Sequence, residues 1–94
     1  MKSKNFYLKD LQPVAHLTSN PKTVALCMRQ RLRTWPDEYP ILILFAEGAS
    51  FYATTRKGEL AKLIEPESIV GTYTEPVKAQ QIADDVEHWA GVIA

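Results

Sequence analysis

The sequence predicts an α+β domain: a helix, a four-stranded antiparallel β-meander and a C-terminal helix, folded as a two-layer sandwich. Three observations carry that prediction. Short apolar or β-branched runs recur at 41–46, 50–56, 59–64 and 69–73, with turn residues between them. A stretch before them and a stretch after them carry apolar residues at helical spacing. Finally, 94 residues suffice for one core and not for two, so residues 1–94 are read as a single domain.

Residues 1–18 form an N-terminal arm with no clear period. Phe6-Tyr7-Leu8 reads as a short strand and 11–17 as a helical turn with Pro13 near its start; Phe6, Leu8, Leu11 and Leu17 are the residues expected to pack. The first helix is better marked. Asn20 or Ser19 can accept a hydrogen bond from a free backbone N–H, and Pro21 at the first helical position gives up no bond by lacking its own. Val24, Met28, Leu32 and Trp35 make one stripe, and Pro36 sets the end, so the helix is expected over 21–34. Its other side carries Lys22, Leu26, Arg29 and Arg33, with Arg31 and Cys27 at the margin of the core stripe.

After the connector 35–40, strand one is expected at 41–46 and a turn at Glu47-Gly48-Ala49, where glycine can take a positive φ. Strand two follows at 50–56, a hairpin turn at Arg56-Lys57-Gly58 and strand three at 59–64. Glu65-Pro66-Glu67-Ser68 reads as a type I turn and 69–73 as strand four. Thr74 is the expected cap of the last helix, whose buried face is Ala79, Ile82, Ala83, Val86, Trp89, Ala90 and Ile93. Gln80, Asp84, Glu87 and His88 are read as its solvent face.

Strand one is apolar at every position, so both of its faces need cover. Two helices on one side of the sheet leave either Leu42 and Leu44, or Ile41, Ile43 and Phe45, facing outward beside Tyr52. Leu42, Leu44 and Tyr52 are therefore candidates for a sheet interface, to be covered by the arm, by a second copy or by a partner.

The net charge of zero conceals a division. Residues 1–36 hold seven Lys/Arg and one acid, a net +6; residues 37–94 hold four Lys/Arg and ten acids, a net −6. Either the two halves attract one another, or the division marks a surface for a charged partner. Lys22, Arg29, Arg31 and Arg33 are the candidate basic site, since guanidinium forks match carboxylates and phosphates alike. Asp84, Glu87 and His88 are the candidate acidic site; Asp84 and Asp85 point about 100° apart on a helix, so only Asp84 and Glu87 pair up along one face.

No short motif of phosphate, dinucleotide, zinc-protease or serine-hydrolase chemistry occurs in the chain. Cys27, His16 and His88 are dispersed, with no metal-ligand spacing, so neither catalytic residues nor a metal or cofactor is expected from them. A lone cysteine excludes an internal disulfide and fits a reducing compartment, and no secretory signal or membrane-spanning run is visible, so a cytoplasmic protein is expected.

These observations lead to a small non-catalytic protein–protein interaction module (an inhibitor, adaptor or accessory protein) using a charged helix face or an exposed sheet face. Its partner would be another protein or a second copy of itself. The alternative is nucleic-acid binding through Lys22, Arg29 and Arg33, which the near-neutral composition disfavours. Small messenger-RNA-cleaving toxins have similar length and also set a helix-rich start against an antiparallel sheet, an analogy of size and order only, and the strands offer little acid–base chemistry to support it.

Overall fold

The computed structural model describes residues 12–34, 41–55 and 59–93. The readings of Phe6-Tyr7-Leu8, Leu11, Trp35, the connector 35–40 and the turn 56–58 lie outside them, as does that of the Ile93 side chain. In chain order the elements are β1 (Ala15–His16), α1 (Pro21–Thr34), β2 (Leu42–Glu47), β3 (Ser50–Thr55), α2 (Glu59–Leu63), a 3-10 turn (Pro66–Ser68), β4 (Ile69–Tyr73) and α3 (Ala79–Ile93).

Helix, four-stranded antiparallel sheet and C-terminal helix are present as expected, but the sheet is assembled differently. Its order is β1-β3-β2-β4 and every pairing is antiparallel. Only β2 and β3 form a hairpin, closed by Gly48 at φ 60°. The sheet is thus not an up-and-down meander. The expected third strand at 59–64 is instead the short helix α2, and the fourth place in the sheet goes to Ala15–His16. The reason is local composition: Glu-Leu-Ala-Lys-Leu consists of strong helix formers, and no β-branched residue occurs before Ile64.

α1 spans the predicted residues and starts as predicted, with Lys22 N–H donating to Asn20 Oδ1 at 2.8 Å. Arriving at Glu65-Pro66-Glu67-Ser68, the chain closes the expected turn, Ser68 N–H donating to Glu65 O at 2.9 Å. α3 begins at Ala79, later than expected. Thr74 does not cap it; Lys78 O accepts the first helical N–H groups, and Glu75 Oε2 accepts from Val77 N–H at 3.3 Å in the turn before it.

α1 and α3 lie side by side on one face of the sheet. Beneath them Val24, Met28 and Leu32 of α1 and Ile82, Ala83 and Val86 of α3 meet Leu42, Leu44, Phe51 and Tyr73 in the main core. Ala90, expected in this face, is exposed. Leu42 and Leu44 are each 0% exposed. Burying side chains of that size stabilises the fold by roughly 1.5–3 kcal/mol apiece.

The opposite face carries a smaller cluster. Phe45, 2% exposed, packs with Ile64 from the segment after α2, and Tyr52 and Ile69 lean on both. Tyr52 stacks on Phe45 with ring centroids 5.8 Å apart and planes at 27°. The chain therefore roofs part of its own second face, which the sequence reading left to an arm or a partner.

β4 contains one irregularity that serves the packing. Leu44 pairs with Gly71 and Phe45 with Ile69, so Val70 is an extra residue. The bulge lets Ile69 join the small cluster while Val70 packs against the main core. Gly71 lies under the Tyr73 ring, where a Cβ would sit 2.6 Å from Tyr73 Cζ; only glycine leaves the ring room to lie flat on its own strand.

Candidate interaction surface

The sequence-predicted residues divide among three environments. Lys22 and Arg33 are exposed on α1, and Leu26 between them is 61% exposed. Arg29 is half-buried, and its Nε is buried without a hydrogen-bond partner. Arg31 faces another way. Its two terminal nitrogens donate to Gln12 O at 3.3 and 3.4 Å, fastening α1 to the chain ahead of β1. It belongs to the structure of the arm and not to the basic row.

Asp84, Glu87 and His88 are all exposed on α3. Asp84 Oδ1 accepts from Gln80 Nε2 at 2.8 Å, a one-turn pair along the helix. Gln80 in turn lines a shallow groove of about 200 Å³ between the two helices, floored by Ala25, Ala79 and Ala83 and bordered by Lys22 and Leu26. The groove places Lys22 of α1 beside Gln80 of α3, whose side chain in turn bonds Asp84. Among the described residues no ion pair joins Lys22, Arg29 or Arg33 to an acid of α3. The charges of Lys22 and Arg33 face solvent, while Arg29 is half-buried.

Leu42, Leu44 and Tyr52 do not form a common interface. The two leucines point into the helix-covered core and Tyr52 points to the other side of the sheet, half-buried on Phe45. Alternation along β2 decides this: even-numbered positions meet the helices, and Ile43 and Phe45 take the far side, where both are buried.

One polar cluster was not anticipated. Tyr73 Oη donates to Asp85 Oδ2 at 2.7 Å, and Gln81 Nε2 donates to Asp85 Oδ1 at 3.0 Å. Burial, then the bond to Asp85, then that carboxylate's charge push the Tyr73 hydroxyl well above the ordinary tyrosine range. Tyr73 is 5% exposed, so this arrangement locks α3 to β4 and presents no reactive group to solvent. The available signal was the glycine two residues before an aromatic in a strand, which marks a ring folded back over the backbone. Similarly, Trp89 donates from Nε1 to Glu67 O at 2.9 Å and meets Phe51 edge-on at 5.6 Å, holding the C-terminal half of α3 to the sheet.

Cys27 is a half-buried free thiol. Among the described residues no group of three or more His, Cys, Asp or Glu side chains is placed to hold a metal ion, and no helix is long and apolar enough to cross a membrane. Compared with protein-family models, with curated proteins and with solved structures, the chain matches none.

Proposed function

We propose that this chain is a small non-catalytic protein-binding module, an inhibitor or adaptor, that docks through the outer side of its helical layer. The observation that carries the reading is the row Lys22, Leu26 and Arg33 on α1: two unpaired cations flank a leucine that is 61% exposed and stands at the rim of a groove. An exposed apolar residue ringed by charge is the usual make-up of a docking patch, in which the apolar centre supplies affinity and the charges supply orientation. The far side of the sheet is the weaker candidate, because Ile64, Tyr52 and Ile69 already shelter Phe45 there. Nucleic acid is also disfavoured: a phosphate chain laid along Lys22 would pass beside Gln80 and the Asp84 carboxylate bonded to it. A single cysteine, half-buried as Cys27, suits a reducing compartment and supports a cytoplasmic location.

The test is retrieval of bound protein from the source cells with immobilised chain. Wild type is expected to retain a partner that Lys22→Glu with Arg33→Glu loses and Tyr52→Asp keeps. Loss with Tyr52→Asp alone would move the docking surface to the sheet.

A further inference from the structure

We infer that the helical layer takes a second copy of this chain, the two copies meeting face to face about a two-fold axis that runs along the groove between α1 and α3. This rests on the reading of that layer as a docking surface and names its occupant.

Charge is the first ground. Setting aside Arg31, turned to Gln12 O, and Asp85, turned to Tyr73, the outer side of α1 carries Lys22, Arg33 and the half-buried Arg29 with no acid, whereas that of α3 carries Asp84 and Glu87 with no Lys or Arg. Two helices of opposite outer charge, side by side, are complementary to their own image. Rotation about an axis lying between the helices puts α1 of each copy over α3 of the other, so that Lys22 faces the Asp84–Glu87 stretch, with Arg33 about 16 Å further along its helix. A rotation that placed α1 on α1 would set cations against cations, so the charges select one arrangement. The level along the axis is preserved by this operation. Lys22 shares its groove with Gln80 and Ala83 in its own copy, and so comes level with Asp84 of the second copy.

Shape is the second ground. Leu26 projects at the rim of the groove, and the groove, at about 200 Å³ and floored by alanines, has room for a leucine side chain from the opposite copy. Each copy thus offers both the projection and the hollow, as an isologous contact requires.

Size sets how strong the contact can be. Helices of 14 and 15 residues are each about 21 Å long, and two side by side span roughly 20 Å. The patch is therefore on the order of 400 Å² in projection per copy, below the ~800 Å² per partner of a standard stable interface. The dimer should be weak, concentration-dependent and sensitive to salt.

The decisive experiment is light scattering on four samples near 1 mM chain and about 50 mM salt, with repeats near 500 mM. Wild type is expected at about twice the chain mass, falling toward the single mass at high salt. Lys22→Glu/Arg33→Glu turns the two exposed cations of α1 into acids, and Asp84→Lys/Glu87→Lys turns the exposed acids of α3 into cations; each is expected at the single mass. Their equimolar mixture is expected back at about twice the chain mass, an outcome that misfolded variants would not give. A wild type that stays single, a mixture that stays single, or variants that dimerise alone would each overturn the inference. A single wild type that still retrieves a partner, lost in Lys22→Glu/Arg33→Glu, would overturn the second copy and leave the docking surface standing. A single wild type whose retrieval ignores those substitutions would overturn both.

Discussion

The two faces of the sheet are covered by very different amounts of chain. One lies under two helices of 14 and 15 residues and holds a continuous core from Val24 to Val86. The other lies partly under the segment that follows a five-residue helix and holds a cluster centred on Phe45 and Ile64. The same strand, β2, feeds both, since its side chains alternate and all from Leu42 to Ala46 are buried. The lesson is that a strand apolar on both faces does not announce a docking surface on its sheet. The segment after a short helix shelters part of the second face, with Ile64 packed on Phe45 and Tyr52 and Ile69 against both.

Deleting buried volume on each face should expose the difference. Leu44→Ala removes a side chain wholly enclosed in the main core and should cost about 3–4 kcal/mol in denaturant unfolding. Ile64→Ala acts in a small cluster beside the surface that can partly close, and should cost about 2 kcal/mol. Equal losses would mean that the second face is as deep as the first. Between these two falls Gly71→Ala, which drives a methyl into the Tyr73 ring and should cost about 2–3 kcal/mol through displacement of that ring.

The smallest expected effect is that of Tyr73→Phe, about 1 kcal/mol for one hydrogen bond whose acceptor, Asp85, keeps its bond from Gln81. It carries a pH signature. The folded hydroxyl holds its proton far above the ordinary tyrosine value, whereas the unfolded one releases it near pH 10. The unfolded state therefore binds fewer protons above that pH, so stability is fully present below about pH 10 and falls as pH rises past it. In Tyr73→Phe that alkaline loss should shrink, a comparison made by unfolding both proteins between about pH 8 and 11.

How much of this was legible in the sequence varied with the number of signals at each element. α1 had an Asn-Pro start, a regular stripe and a proline beyond it, and its bounds match. Residues 59–63 had only an apolar pattern, which helix and strand share over five residues, and there the helical preference of Glu, Leu, Ala and Lys prevailed. In β2 the unbroken apolar run gave no phase, so nothing local said that Leu42 and Leu44 would face the helices. The exposed row Lys22, Leu26 and Arg33 was readable from spacing alone. The diversion of Arg31 to Gln12 O was not, because it depends on where the arm returns. The acidic and basic rows were each visible, but their side-by-side placement required the packing of α1 on α3.

The most direct test of the central claim is a footprint by amide hydrogen exchange and carboxyl labelling, comparing concentrated with dilute protein. Protection is predicted at Lys22, Leu26 and Arg33 and at Asp84 and Glu87, with Tyr52 and Thr72 on the far side of the sheet unchanged. Protection confined to Tyr52 and Thr72, with the two charged rows unaltered, would contradict it.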